Sequence, residues 1–130
     1  MHANKARKSA RTRSLLLSLA TAGVALCSSA AHAYVSCEGP VSYLAVGSNG
    51  SVYVNVGSNV WPLCGLASSF SAGGVTITQD VCRAWYATFL AAQKSGGSIR
   101  LYFNDPSPAC AAIGAWVIPN PLPYHMDSLN

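Results

Sequence analysis

The sequence predicts a mostly β domain with a single helix, its elements in the order β-β-β-α-β-β. Three observations carry this. Residues 41–46 (VSYLAV) and 51–56 (SVYVNV) are branched and aromatic runs flanking Asn49-Gly50, and tolerance of positive φ makes Asn-Gly a strong hairpin signal. From Val81 the bulky residues Val81, Trp85, Phe89 and Leu90 recur at three- and four-residue steps, which sets them on one helical face. After Gly96-Gly97 the period becomes two, with Ile99, Leu101 and Phe103 on one side and Arg100, Tyr102 and Asn104 on the other.

Ahead of this domain, residues 1–33 read as a secretory signal. Lys5, Arg7, Lys8, Arg11 and Arg13 are followed by an apolar run from Leu15 to Leu26 that is too short to span a bilayer. Ala31-His32-Ala33 is an A-x-A cleavage site, so the mature chain is expected to begin at Tyr34 and to reside in the periplasm or outside the cell. A lipoprotein signal acylated at Cys27 is disfavoured by the bulk of Leu26, and no twin-arginine pair is present. The formal net charge of +4 belongs to this leader. Without it, Arg83, Lys94 and Arg100 face Glu38, Asp80, Asp105 and Asp127, a balance near −1, and a nucleic-acid or anionic-membrane partner loses its support. Cys37, Cys64, Cys82 and Cys110 remain, an even set in an exported domain, so two disulfides are expected among three possible pairings.

Along the mature chain, Val52, Val54 and Val56 should face inward and Tyr53 and Asn55 outward. Residues 57–59 (GSN) form a turn into a third strand, 60–66, which Pro62 restricts to an edge, a bulge or a strand start. Residues 67–74 read as a loop. The helix has two candidate N-caps, Thr76 with Gln79 or Thr78 with Asp80, and a glycine C-cap at Gly96-Gly97. Residues 105–108 are a turn, 110–113 a short irregular piece, and 115–118 (AWVI) the closing strand. Pro119, Pro121 and Pro123 then imply an extended, partly exposed tail over 120–130, leaving 34–119 as the domain. A three-stranded meander, a helix and two further strands is the order of the OB-fold, a small Greek-key barrel whose helix would plug one end with its Trp85 face. A two-layer α+β sheet with one covering helix is the alternative.

Several of these segments carry a family resemblance. Cys37-Glu38-Gly39 opening the first strand, Val52-Tyr53-Val54, Trp61 followed by Cys64, Val81-Cys82-Arg83-Ala84-Trp85 on the helix and GGSIRLYF after it resemble the exported proteobacterial proteins related to the B subunit of subtilase cytotoxin. The likeness spans roughly residues 35–119 and is most specific in the helix, the glycine turn and the strand that follows. It implies an OB-fold, and it suggests a ring-forming subunit that binds sialylated glycans, although no binding residue transfers by position. In an OB-fold the third strand runs into the helix and the first strand begins near the end of the fourth, so Cys64–Cys82 and Cys37–Cys110 are the expected pairs.

Catalytic groups are sparse. His125, with Asp127 two residues on, reads as a solvated terminal histidine rather than an acid–base pair, because frayed ends do not hold groups to catalytic precision. Glu38, Asp80 and Asp105 are too few and too scattered to form a carboxylate pair, the cysteines lack the CxxC clustering of a zinc site, and no cofactor is expected. Tyr43, Tyr53, Asn55, Trp61, Arg100, Tyr102 and Asn104 are the candidate ligand-binding set, flat rings beside amide and guanidinium donors as sugar recognition requires. The competing reading makes the tyrosines ordinary cross-strand partners and Trp61 a core residue. Ala84, Ala87 and Ala91, roughly opposite Trp85, suit either a close helix contact in a ring or a plain exposed face. The function expected is an exported, non-enzymatic binding module, toxin B-subunit-like or lectin-like and directed at glycans. The alternative is a stand-alone exported protein acting through protein–protein contact, as an inhibitor or envelope component.

Overall fold

The computed structural model describes residues 34–57, 59–104 and 109–129; the predicted leader with its Ala33 cleavage site, and the predicted turn at 105–108, lie outside them. The described chain is mostly β with one helix. Its strands are β1 (Val35–Val46), β2 (Ser51–Val56), β3 (Asn59–Gly65), β4 (Phe70–Ala72), β5 (Val75–Ile77), β6 (Ser98–Phe103) and β7 (Pro123–Leu129), with helix α1 (Gln79–Ser95) between β5 and β6. Five strands form an open antiparallel sheet in the order β3-β2-β1-β6-β7, and β4-β5 is a separate hairpin. In that order β3 and β7 are the edges, so the pairing that would close a barrel is not made among the described residues.

β1 organises the sheet because it is twice the usual strand length and has two partners. Its first half, Val35–Pro40, pairs with β6, and its second half, Val41–Val46, pairs with β2. The switch occurs where Gly39 passes the turn after β2. A Cβ on Gly39 would lie 2.5 Å from Gly57 Cα, and Gly57 itself takes φ 73°. Only glycine permits that approach. Gly39→Ala is therefore expected to destabilise the protein by about 1–3 kcal/mol through overpacking against backbone, read as a lower denaturant midpoint with unchanged slope.

The β1–β2 hairpin turns through Gly47–Gly50, with Gly50 at φ 80° and Asn49 Oδ1 accepting from Ser51 N at 3.1 Å. In β2 the alternation holds: Val52, Val54 and Val56 are buried, Tyr53 and Asn55 half-exposed. β3 is an edge strand with a register shift beside Pro62, two of the roles proline permits. In β6, Ile99, Leu101 and Phe103 are fully buried as the period of two requires.

Helix α1 is capped by Thr78, whose side chain accepts from Val81 N, and it ends on Gly96 at φ 72°. Its buried face differs from the expected one. Cys82, Phe89 and Ala92 are buried with Trp85 half-buried against Phe89, while Val81 and Leu90 are exposed. The Cys64–Cys82 disulfide rotates the helix toward β3, so a cysteine occupies the position that bulk alone assigned to Val81. Phe89 and Cys82 then share one core with Val54, Trp61, Leu63, Leu101 and Phe103.

Three further expectations are corrected. Residues 67–74 are not all loop: β4 and β5 pair across Gly73-Gly74, whose φ angles of 58° and 80° make the turn. Residues 115–118 are not a strand; they form a turn with Trp116 at φ 64°. The last strand is instead β7, drawn from the segment expected to be a free tail. Pro123 stands at its first position, where the missing N–H removes no ladder bond. Pro119, Leu122 and Pro123 are buried, and Leu122 N donates to Ala72 O at 3.3 Å, which ties the tail across the β4–β5 hairpin.

Both disulfides, Cys37–Cys110 and Cys64–Cys82, join the pairs expected for an OB-fold. The first fastens the segment after β6 to the start of β1. The second fastens α1 to β3.

Candidate functional site

The outward face of the sheet carries two aromatic clusters, and the predicted ligand set divides between them. The first lies on β1 and β2. Alternation puts Tyr53 and Asn55 of β2 on this face, and a register shift after buried Val41 turns Tyr43 of β1 outward, directly opposite Asn55. Trp116 arrives from the other end of the chain and lies over both tyrosines, 5.8 Å from Tyr43 in an edge-on contact and 6.2 Å from Tyr53. Ser42 donates to Asn55 Oδ1 at 2.8 Å, which leaves the Asn55 amide nitrogen as its donor at the rim. No member of this group carries a charge.

The segment that brings Trp116 there is pinned to β3 at three points. Asn59 Nδ2 donates to Ile113 O at 2.8 Å, Trp61 Nε1 donates to Gly114 O at 3.1 Å, and Trp116 N donates to Val60 O at 2.7 Å. Trp116 nevertheless remains 60 % exposed and holds a left-handed backbone, with Val117 and Ile118 exposed beside it. A bulky side chain in that region costs of order 1–3 kcal/mol, which persists only where the surroundings over-determine it. The same segment lines a cavity of about 250 Å³ between Ile113, Val117, Ile118 and Pro121.

The second cluster lies on β1, β6 and β7. Arg100 and Tyr102 point outward from β6; Glu38 from β1 and Asp127 and His125 from β7 stand opposite them. Arg100 donates to Glu38 Oε2 through Nε at 2.9 Å and Nη2 at 2.6 Å. Its Nη1 reaches the Tyr102 hydroxyl at 3.4 Å, and that hydroxyl donates to Asp127 Oδ2 at 2.8 Å. His125 Nε2 meets the other oxygen of Asp127 at 2.8 Å. The Tyr102 hydroxyl and the Glu38 carboxylate hold Arg100 above its already high value. The Tyr102 hydroxyl, aided by His125, holds Asp127 below the usual carboxylate range. Tyr34 and Tyr124 flank Tyr102 at 6.4 and 6.3 Å, and a shallow cleft of about 390 Å³ opens between Tyr34, Val75, Asn104 and Tyr124.

The Asp127 carboxyl sits on a strand pair, so its titration reports on β7. Its depressed pKa means that the interaction stabilises the fold at neutral pH and is lost as pH falls through the folded value, below the ordinary ~3.9. Tyr102→Phe should raise the Asp127 midpoint, followed by NMR at its carboxyl carbon. An unchanged midpoint would assign the shift to another group.

Of the predicted residues, Tyr43, Tyr53 and Asn55 belong to the first cluster, Arg100 and Tyr102 to the second, and Asn104 to the cleft. Trp61 belongs to none. It is fully buried, edge-on to Phe103 at 5.8 Å, and serves the surface only by holding Gly114. His125 and Asp127 are not at a frayed end; strand pairing with β6 fixes both on the outer face. Trp116, Tyr34 and Tyr124 were not in the predicted set. The signal for Trp116 was available, an apolar run bounded by Gly114 and Pro119, but it reads equally well as a short strand. Among the described residues no cluster of three or more His, Cys, Asp or Glu is disposed to hold a metal ion.

No protein-family model, curated protein or solved structure matches the chain. What fold and surface define is a class: a mostly β domain with one helix, stapled by two disulfides of the kind that form in oxidising compartments. Among its described residues no helix is long and apolar enough to cross a membrane.

Proposed function

We propose that this protein is an exported, non-enzymatic binding module of the lectin-like kind, and that Tyr43, Tyr53 and Trp116 form its sugar-stacking platform. The observation that carries the reading is Trp116. It is a large ring held mostly in solvent on a strained backbone, at the centre of an aromatic–amide surface. Rings of this kind supply rigid contact area at small entropic cost, and the Ser42–Asn55 pair supplies hydroxyl-directed donors and acceptors. An OB-like ancestry is compatible with the strand order, since β1 is shared between β2 and β6 and the helix precedes β6. The resemblance to the subtilase cytotoxin B-subunit group supports the same reading at the level of fold and export.

A glycan array followed by calorimetry tests the proposal. Trp116→Ala is expected to lower affinity for any sugar bound by at least about tenfold, roughly 1.4 kcal/mol, with the folded state intact. Absence of saturable binding to any glycan sinks the reading.

A second reading has its own observation. Trp116, Val117 and Ile118 are consecutive, exposed and apolar, a composition that also suits a protein partner. The proline-rich tail is unsuited to that role, because Pro119, Leu122 and Pro123 are buried. Capture of an exported protein that survives sugar competition and is lost in Trp116→Ala would favour this alternative. Assembly into a ring remains a separate proposal; Ala84, Ala87 and Ala91 are exposed on α1, and light scattering of the oxidised protein measures the mass directly.

A further inference from the structure

We infer that the ligand of the Trp116 platform is uncharged, a neutral oligosaccharide rather than a sialylated or sulfated one. The inference rests on the lectin-like reading and deepens it. Its basis is where the positive charge of the domain is placed.

Strong capture of a carboxylate or sulfate in water draws on a guanidinium, an ammonium or a set of backbone N–H groups that no other anion already occupies. Arg100 is engaged by Glu38 and by the Tyr102 hydroxyl, and the Asp127 carboxylate closes the same network. Arg83 is engaged by Asp80 at 3.0 Å. Asp80 also occupies the first turn of α1, so the positive end of the helix dipole already has its anion. Lys94 lies in the last turn of α1, on the element whose Cys82, Phe89 and Ala92 pack into the core under the sheet, away from the outward tyrosines. The second aromatic cluster is no better suited to an anion. Its Arg100 guanidinium is already held by Glu38, and Asp127 adds a second carboxylate.

The platform offers the opposite chemistry. Tyr43, Tyr53 and Trp116 present ring faces and edges, and Asn55 and Ser42 present an amide and a hydroxyl. An apolar sugar face with hydroxyls at its rim matches both parts. A carboxylate brought to the same place loses hydration without gaining a charged partner.

The test uses the oxidised, full-length mature protein and paired glycans that share a neutral core and differ only in a terminal sialic acid or sulfate. The expected result is saturable binding to the neutral member, undiminished when the anionic group is removed and changing less than about twofold between low and high salt. Trp116→Ala, and independently Tyr53→Ala, should each weaken that binding at least about tenfold. Binding that requires the sialic acid or sulfate and weakens steeply with salt overturns the inference and leaves the lectin-like reading standing. No binding to either member of any pair overturns both.

Discussion

Removing the Cys37–Cys110 disulfide, by Cys37→Ala with Cys110→Ala, is expected to lower stability by about 4.5 kcal/mol on the loop-entropy account. The two cysteines are 73 residues apart, so their crosslink withdraws the freedom of a long loop from the unfolded chain. Cys64 and Cys82 are 18 apart, and the same reasoning gives about 3 kcal/mol for their removal. Against a total of order 5–15 kcal/mol for a domain of this size, the first loss is a large fraction and the second a smaller one. Guanidinium denaturation of the two double variants measures both. The reverse order of stabilities would mean that native packing, not chain entropy, sets the contribution. A local consequence separates the pair further. Cys110 begins the segment that runs to Trp116, so amide exchange at Gly114, Trp116 and Val117 should accelerate in the Cys37/Cys110 variant more than in the other.

Trp61→Ala is expected to cost about 3–5 kcal/mol, among the largest losses available from one side chain. Trp61 is fully buried, packs edge-on against Phe103, and ties Gly114 through its indole nitrogen. Truncation opens a cavity between β3 and β6 and releases the binding segment together. Trp61→Phe separates these effects. It keeps most of the packing but leaves Gly114 O without its donor, a loss of about 1–3 kcal/mol. If the Trp61–Gly114 bond positions the platform, Trp61→Phe weakens ligand binding although Trp61 touches no solvent. Unchanged affinity in that variant would show that the bonds from Asn59 and to Val60 are sufficient to hold the segment.

Much of the fold was legible because local chemistry and tertiary packing agree there. Asn49-Gly50 turns the first hairpin, Thr78 and Gly96 bound the helix, and the alternation in β2 and β6 matches their buried and outward residues. The cysteine pairs are those an OB-fold implies: β3 leads toward α1, and the start of β1 lies beside the end of β6. The misses share one cause. Ala115-Trp116-Val117-Ile118 has strand composition, yet hydrogen bonds from Asn59 and Trp61 and to Val60 hold it as an exposed turn. Residues 123–129 have little strand composition and open on proline, yet β6 offers an unpaired edge that they satisfy. Val81 has the bulk for a core position, but the disulfide at Cys82 sets which face of α1 turns inward.

The candidate surface divides along the same line. Outward Tyr53, Asn55, Arg100 and Tyr102 are predicted by a period of two, a property of each strand alone, whereas Tyr43 faces outward through the register shift that follows buried Val41. That Trp61 is core and Trp116 is surface follows from neither residue type nor spacing. Both are tryptophans in short apolar runs that contain or end at a proline. Residue identity and local periodicity determined the elements, the caps and the cysteine count. Only the folded chain decided which aromatic rings meet, because Trp116 and Tyr43 are brought together by bonds to a third strand, and such bonds leave no mark on the local pattern of either segment.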